Sequence, residues 1–312
     1  MKTRIDFDWE WDLPALGYAD PVLMIGSCFS QSMGVLCNKN RLNVISNPLG
    51  TQYNPGSILH NLQLLQGSAQ IQEKDLIQNQ KLWYYTNAHH DLFGSTQDEI
   101  TQKLNAIIQP LREFWQQVKF VWITPGTAQY YQYVPTGNNV GNCHKLPSQL
   151  FKKQVFTPKQ IEESFSEFIE SEPQKHFIFT LSPVRYVREG LIESNHHKSI
   201  LRIAIHALQN QFKQVHYFPS YEILVDELRD YRYYAEDMLH PSTIAIEYIY
   251  DTLIKRWGSP TTLQYLAEWH KIKKRLEHQI TPQTPPDFAE KNRELLQLFE
   301  QKWKPTAPKP PL

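Results

Sequence analysis

Three cysteines, Cys28, Cys37 and Cys143, are all that 312 residues contain. They are too few and too scattered for a disulfide framework, and no C-x-x-C pair outlines structural zinc, so a reducing compartment is expected. Charge of one sign is also lacking. Lys plus Arg and Asp plus Glu both number 32, so no global field draws nucleic acid or an anionic membrane. No apolar run approaches the roughly 20 residues of a membrane helix. The first residues, "MKTRIDFDWEWDLPALGYAD", are acidic and aromatic, without the basic start and apolar core of a signal peptide. Neither G-x-G-x-x-G nor G-x-x-x-x-G-K-[ST] occurs, which removes the support for a nucleotide cofactor. These absences lead us to expect a cytoplasmic protein that acts on a small molecule and binds no nucleic acid, membrane or cofactor. No heptad pattern speaks for an oligomeric state.

The rest of the chain alternates β-branched and aromatic segments with amphipathic ones rich in Glu, Gln and Lys, the pattern of a parallel sheet with crossover helices. Buried strands are predicted at "PVLMIG" (21–26), "KFVWIT" (119–124), "HFIFTLS" (176–182) and "QVHYFPS" (214–220), each short and nearly all apolar. Helices are predicted over 30–39, 54–67, 97–118 with a kink or break at Pro110, 157–172 capped by Thr157, and 194–212 from a Ser/Asn cap. Around 127–152 the rhythm changes, and "TAQYYQYV" and "GNCHKLP" flank "PTGNN" as an inserted β-hairpin. "KLWYYTNAHHDLFG" (81–94) reads as an extended loop or hairpin. The expected architecture is therefore α/β, a three-layer sandwich with a mostly parallel central sheet spanning residues 1–258, followed by a helical extension over 259–312. The extension ends in "KPTAPKPPL", which reads as disordered or polyproline-like.

Two places could carry chemistry. In "PVLMIGSCFSQSMG" (21–34), Ser27 and Cys28 follow a buried strand and precede a helix, where open α/β sheets place ligands and a helix N-terminus offers free N–H groups. In "YYAEDMLHPS" (233–242), Asp237 and His240 stand three apart, so the carboxylate can orient the imidazole while the other ring nitrogen accepts a proton. Each alone is also compatible with a purely structural role. The pairs His89/His90 and His196/His197 invite a metal reading, but adjacent side chains diverge on a strand or helix, and no H-E-x-x-H spacing occurs. No metal is expected.

The order of these pieces resembles the SGNH or GDSL hydrolase superfamily, and the sharper likeness is to the GSCFA family, here "GSCFS" at Gly26 to Ser30. It extends through "NPLGTQYNPGSI" (47–58), "TPGTAQ" (124–129), "NCHKLP" (142–147), "TLSPVRYVREGLIESN" (180–195) and "YFPSYEILVDELRDYRYYAEDMLHPS" (217–242), covering roughly residues 20–255. The superfamily pattern puts the nucleophile two positions after the glycine, which is Cys28, with Ser27 as the alternative. A thiol at a helix N-terminus near His240 is expected to have a lowered pKa. The resemblance makes Gly50 the second-block glycine of an oxyanion hole, Gly126 and Thr127 part of the third block, and Ala128 the occupant of the place usually held by asparagine. Thr127, Asn142 or His144 is the expected replacement donor. Of Arg185 and Arg188, which follow the third core strand, one is expected to anchor a carboxylate or phosphate, with a surface ion pair to Glu189 or Asp230 as the alternative. Trp83, Tyr84 and Tyr85 could stack on a sugar or acyl chain. The implied activity is ester hydrolysis or O-acyl transfer on an ester-bearing small molecule or carbohydrate. Its rival is a non-catalytic protein that binds an anionic small molecule on the same fold.

Overall fold

The computed structural model describes residues 9–278 and 287–304. Its strands are β1 (Val22–Gly26), β2 (Val44–Ser46), β3 (Leu76–Asn79), β4 (Leu82–Tyr85), β5 (Phe93–Gly94), β6 (Phe120–Thr124), β7 (Gln129–Tyr133), β8 (Asn138–Val140), β9 (Phe151–Val155), β10 (His176–Phe179) and β11 (Val215–Tyr217). The helices are α1 (Cys28–Lys39), α2 (Pro55–Gln66), α3 (Gln97–Gln117), α4 (Pro158–Glu170), α5 (Leu191–Gln211), the single turn α6 (Ser220–Glu222), α7 (Thr243–Trp257), α8 (Pro260–Leu276) and α9 (Phe288–Lys302).

Five strands form one parallel sheet in the order β11-β10-β6-β1-β2. Because strand side chains alternate between faces, the sheet feeds two cores. Leu23, Ile25, Val121, Ile123, Phe177 and Phe179 pack with α2, α4 and α5 on one side. Val22, Met24, Phe120, Trp122 and Ile178 pack with α1, α7 and α8 on the other. This is the expected three-layer α/β sandwich. Counted along the chain, the strand order is 2-1-3-4-5, so the winding reverses between β1 and β6. Their carboxyl ends border the crevice where such sheets take ligands.

The predicted strands are β1, β6, β10 and β11; β2, three residues long, was not foreseen. The region 127–152 is more than a hairpin. β7 and β8 pair around the "PTGNN" turn as expected, but β9 adds a third strand on the other side of β7, and "GNCHKLP" is a run of turns between them. The 81–94 segment likewise belongs to a three-stranded antiparallel sheet, β3-β4-β5. Pro110 does not end α3, whose buried stripe of Ile100, Leu104, Ile108, Leu111 and Trp115 continues on both sides of it. α5 starts three residues earlier than predicted, after Gly190 and with no side-chain cap. Beyond residue 258, Tyr265, Leu266, Trp269, Phe299 and Trp303 bury themselves in the same cluster as Val22 and Trp257. The predicted Pro/Lys tail lies, apart from Lys304, outside the described residues.

Candidate active site

β1 ends in a glycine for a steric reason. Gly26 has φ +137°, and a Cβ there would lie 2.3 Å from the Thr124 carbonyl oxygen on β6. The close approach lets the Ser27 N–H donate to that same oxygen at 2.9 Å and turns the chain straight into α1. Ser27 caps the helix, its hydroxyl accepting from Phe29 N–H at 3.3 Å and donating to Ser182 Oγ at 2.9 Å. Ser27 is 1 % exposed and serves as the N-cap of α1, its hydroxyl engaged on both sides. Cys28, one residue on and partly exposed, opens the helix and presents its sulfur at the positive end of the helix dipole.

The sulfur has a neighbour that the sequence did not advertise. Lys198, on α5, is 4 % exposed and donates from Nζ to Ser182 O at 2.5 Å. Burial holds its pKa down at about 7, against the pull of Cys28, while Arg185 lowers it further. Cys28 in turn is pushed up by burial, and the N–H groups of Cys28 and Phe29, followed by Lys198, only partly offset this. The expectation of a lowered thiol pKa is thus reversed: desolvation outweighs the helix terminus, and Cys28 rests as a thiol. The carboxylate of Asp237 also acts on the sulfur, raising its pKa.

Asp237 and His240 form a local unit. Asp237 Oδ1 accepts from Leu239 N–H at 2.9 Å and His240 N–H at 3.0 Å, and Oδ2 lies 2.6 Å from His240 Nδ1. The two backbone bonds and then the imidazole hold the Asp237 pKa at about 2. An ionised carboxylate only accepts, so Nδ1 carries the proton and Nε2 is left to act as a base. The side chains are 47 % and 48 % exposed. Arg185 N–H donates to Leu239 O at 3.1 Å, tying the loop after β10 to this unit.

The other residues singled out have different employment. Gly50, at φ +88° with a Cβ position only 2.2 Å from His89 Cβ, gives its N–H to Asn47 O at 2.8 Å. Gly126 and Thr127 both give theirs to Tyr53 O, at 2.8 and 3.0 Å. The Thr127 hydroxyl is 2.9 Å from His197 Nδ1. Asn142 Oδ1 accepts from His144 N–H at 2.8 Å. The His144 ring is buried between Tyr85 O and His90 and stacks on Tyr84, with its pKa driven down to about 4 mainly by burial. Tyr84 and Tyr85 are themselves buried, so they offer no ring to a sugar. His89 pairs with Asp91 at 3.1 Å and His196 with Glu193 at 3.6 Å. Among the described residues, no group of three or more His, Cys, Asp or Glu side chains is arranged to hold a metal ion, and no helix is long and apolar enough to cross a membrane.

Fold and site together define an open α/β protein with a cysteine at the head of its first crossover helix and a carboxylate-imidazole pair late in the chain. The GSCFA family profile matches residues 21–253, three quarters of the molecule and all of the sheet. The chain belongs to the GSCFA family. Comparison with curated proteins returns no match.

Proposed function

We propose that this protein is an SGNH-like esterase or O-acyltransferase that forms an acyl-enzyme on Cys28, acting in a reducing, cytoplasmic setting on an ester-bearing small molecule or carbohydrate. The observation that carries the reading is the position of Cys28 as the first residue of α1, at the end of β1, with the charges of Lys198 and Asp237 both acting on its thiol. In the attack, Cys28 Sγ bonds to the acyl carbon while its proton passes to His240 Nε2, and Asp237 stabilises the imidazolium that results. The Cys28 N–H and the Lys198 ammonium are the donors for the oxyanion. Collapse expels the alkoxide, which takes the proton back from His240. Water or an acceptor hydroxyl then repeats the sequence on the thioester. Because the thiol rests uncharged, the base is needed in the attack step and not merely to poise a thiolate.

The test is intact-mass and peptide mapping of the protein mixed with p-nitrophenyl acetate at neutral pH. An acetyl group on the Cys28 peptide, absent from Cys28→Ala and formed roughly 100-fold or more slowly in His240→Ala, is the expected result. Release of nitrophenolate that is equally fast in Cys28→Ala sinks the reading. One observation favours the rival, a non-catalytic binder of an anionic small molecule: the N–H groups of Gly50, Gly126 and Thr127 are all spent within the protein. Absence of any Cys28 adduct would favour that rival.

A further inference from the structure

The loop that carries Asp237 and His240 has a second side. The two residues between them, Met238 and Leu239, wall a cavity of about 570 Å³, well inside the roughly 300–1,000 Å³ of small-molecule pockets. Val187, Leu191, Val225, Tyr231 and Tyr234 make the rest of its lining mainly apolar. Leu191, Tyr231 and Met238 are 54 %, 78 % and 50 % exposed, a cluster of large apolar side chains in water of the kind that marks a binding surface. Met238 is also held at φ +58°, unusual for a residue with a side chain and typical of ligand-contacting loops.

Set in this apolar lining are two guanidinium groups, Arg185 and Arg229. Neither forms an ion pair with a described residue. Arg185 has the Tyr234 side chain as a neighbour, and the one carboxylate in the lining, Asp230, is taken by Arg232 at 2.9 Å. Two cations without carboxylate partners beside water-exposed hydrocarbon are matched by a ligand that brings both an anion and an apolar body, since guanidinium binds carboxylate or phosphate in a two-pronged fork.

We propose that this cavity binds an amphiphilic anion, its carboxylate or phosphate held by Arg185 and Arg229 and its hydrocarbon laid against Val187, Leu191, Val225 and Tyr234. The cavity shares a loop with His240, so the ligand would be the apolar, charged part of the ester substrate. That last identification rests on the acyl-transfer reading; the binding does not.

The experiment is calorimetric titration of full-length Cys28→Ala protein with decanoate, decyl phosphate and decanol. At least one of the two anions is expected to bind about tenfold or more tightly than decanol, as charge-assisted hydrogen bonds imply, and the tighter anion identifies the headgroup. Arg185→Gln with Arg229→Gln is expected to erase that preference, and Val225→Trp, which fills the cavity, to abolish binding. Circular dichroism melts show whether each variant is folded. If the double variant is not, Arg229→Gln alone, at an exposed position, is expected to weaken the anion and not decanol. No binding of either anion, equal affinity for decanol, or indifference to Val225→Trp overturns the proposal. Failure of the acyl-transfer reading shows separately, as an unlabelled Cys28 in a protein that still binds the anion.

Discussion

Lys198 shows how a residue's chemistry can be decided entirely by its surroundings. In "SNHHKSILRIAIHAL" nothing distinguishes it from a lysine on the solvent face of an amphipathic helix. It is buried because α5 packs over the 180–185 segment, where the Ser182 carbonyl receives its ammonium. The consequence is a pH dependence of definite sign. Its pKa falls from 10.5 in the unfolded chain to about 7 in the folded one, so between those values the unfolded chain binds more protons and stability rises with pH. Below pH 7 both states are protonated and the cost of burying the charge is borne in full; above 10.5 neither is and the cost vanishes. Urea unfolding of wild type and Lys198→Met should therefore show the wild-type stability gaining on the variant's as pH rises from 7 toward 10.5. A gap independent of pH would mean that the amine is not desolvated. By contrast, Asp237 and His240 were legible as a pair because every bond that defines them lies within four residues.

Among the elements, strength of pattern decided what could be read. β1, β6, β10 and β11 are runs of apolar residues covered on both faces, which leave a clear trace. β2 is only "VIS", between polar residues and "NPLG", too short to stand out from a loop, although it sets the winding reversal beside the site. The small antiparallel sheets were half seen, because a turn such as "PTGNN" reveals a hairpin but not the distant third strand that joins it. α3 shows the limit of a single-residue rule. Pro110 removes one backbone donor and crowds the preceding turn, yet the apolar stripe of α3 holds the helix together across it. Pro110→Ala restores the donor at the expense of a more flexible unfolded chain. The net expectation is a gain of about 1–2 kcal/mol, read as a higher urea midpoint with unchanged slope. A loss of stability would show instead that the proline's rigidity is the larger contribution.

For the whole molecule, the boundary suggested at residue 258 meets a continuous core. Leu16 N–H donates to Trp257 O, Leu16 O accepts from Ser259 N–H and Thr262 Oγ1, and Trp269 Nε1 reaches Lys39 O on α1. A chain ended at Gly258 would uncover Val22, Trp257 and the other residues that α8 and α9 cover. It is expected to melt at a lower temperature than the full chain or to aggregate on expression. An unchanged melting temperature would make the C-terminal helices a separable addition. The engagement of the expected oxyanion donors belongs to the same scale. Whether the N–H of Gly50 or Gly126 is free depends on Asn47 and Tyr53 closing their turns, a tertiary fact that no residue type announces.

The same layout sets an order of events during synthesis. Cys28 emerges early, but the groups that surround it are encoded about 170 residues later at Lys198 and about 210 later at Asp237. At roughly 5–20 residues per second, that leaves the sulfur without its final shelter for roughly 10–40 seconds. A thiol in a chain still growing is open to any oxidant it meets. An oxidant met during synthesis is therefore expected to modify Cys28 more readily than one met after folding, when the sulfur is only partly exposed.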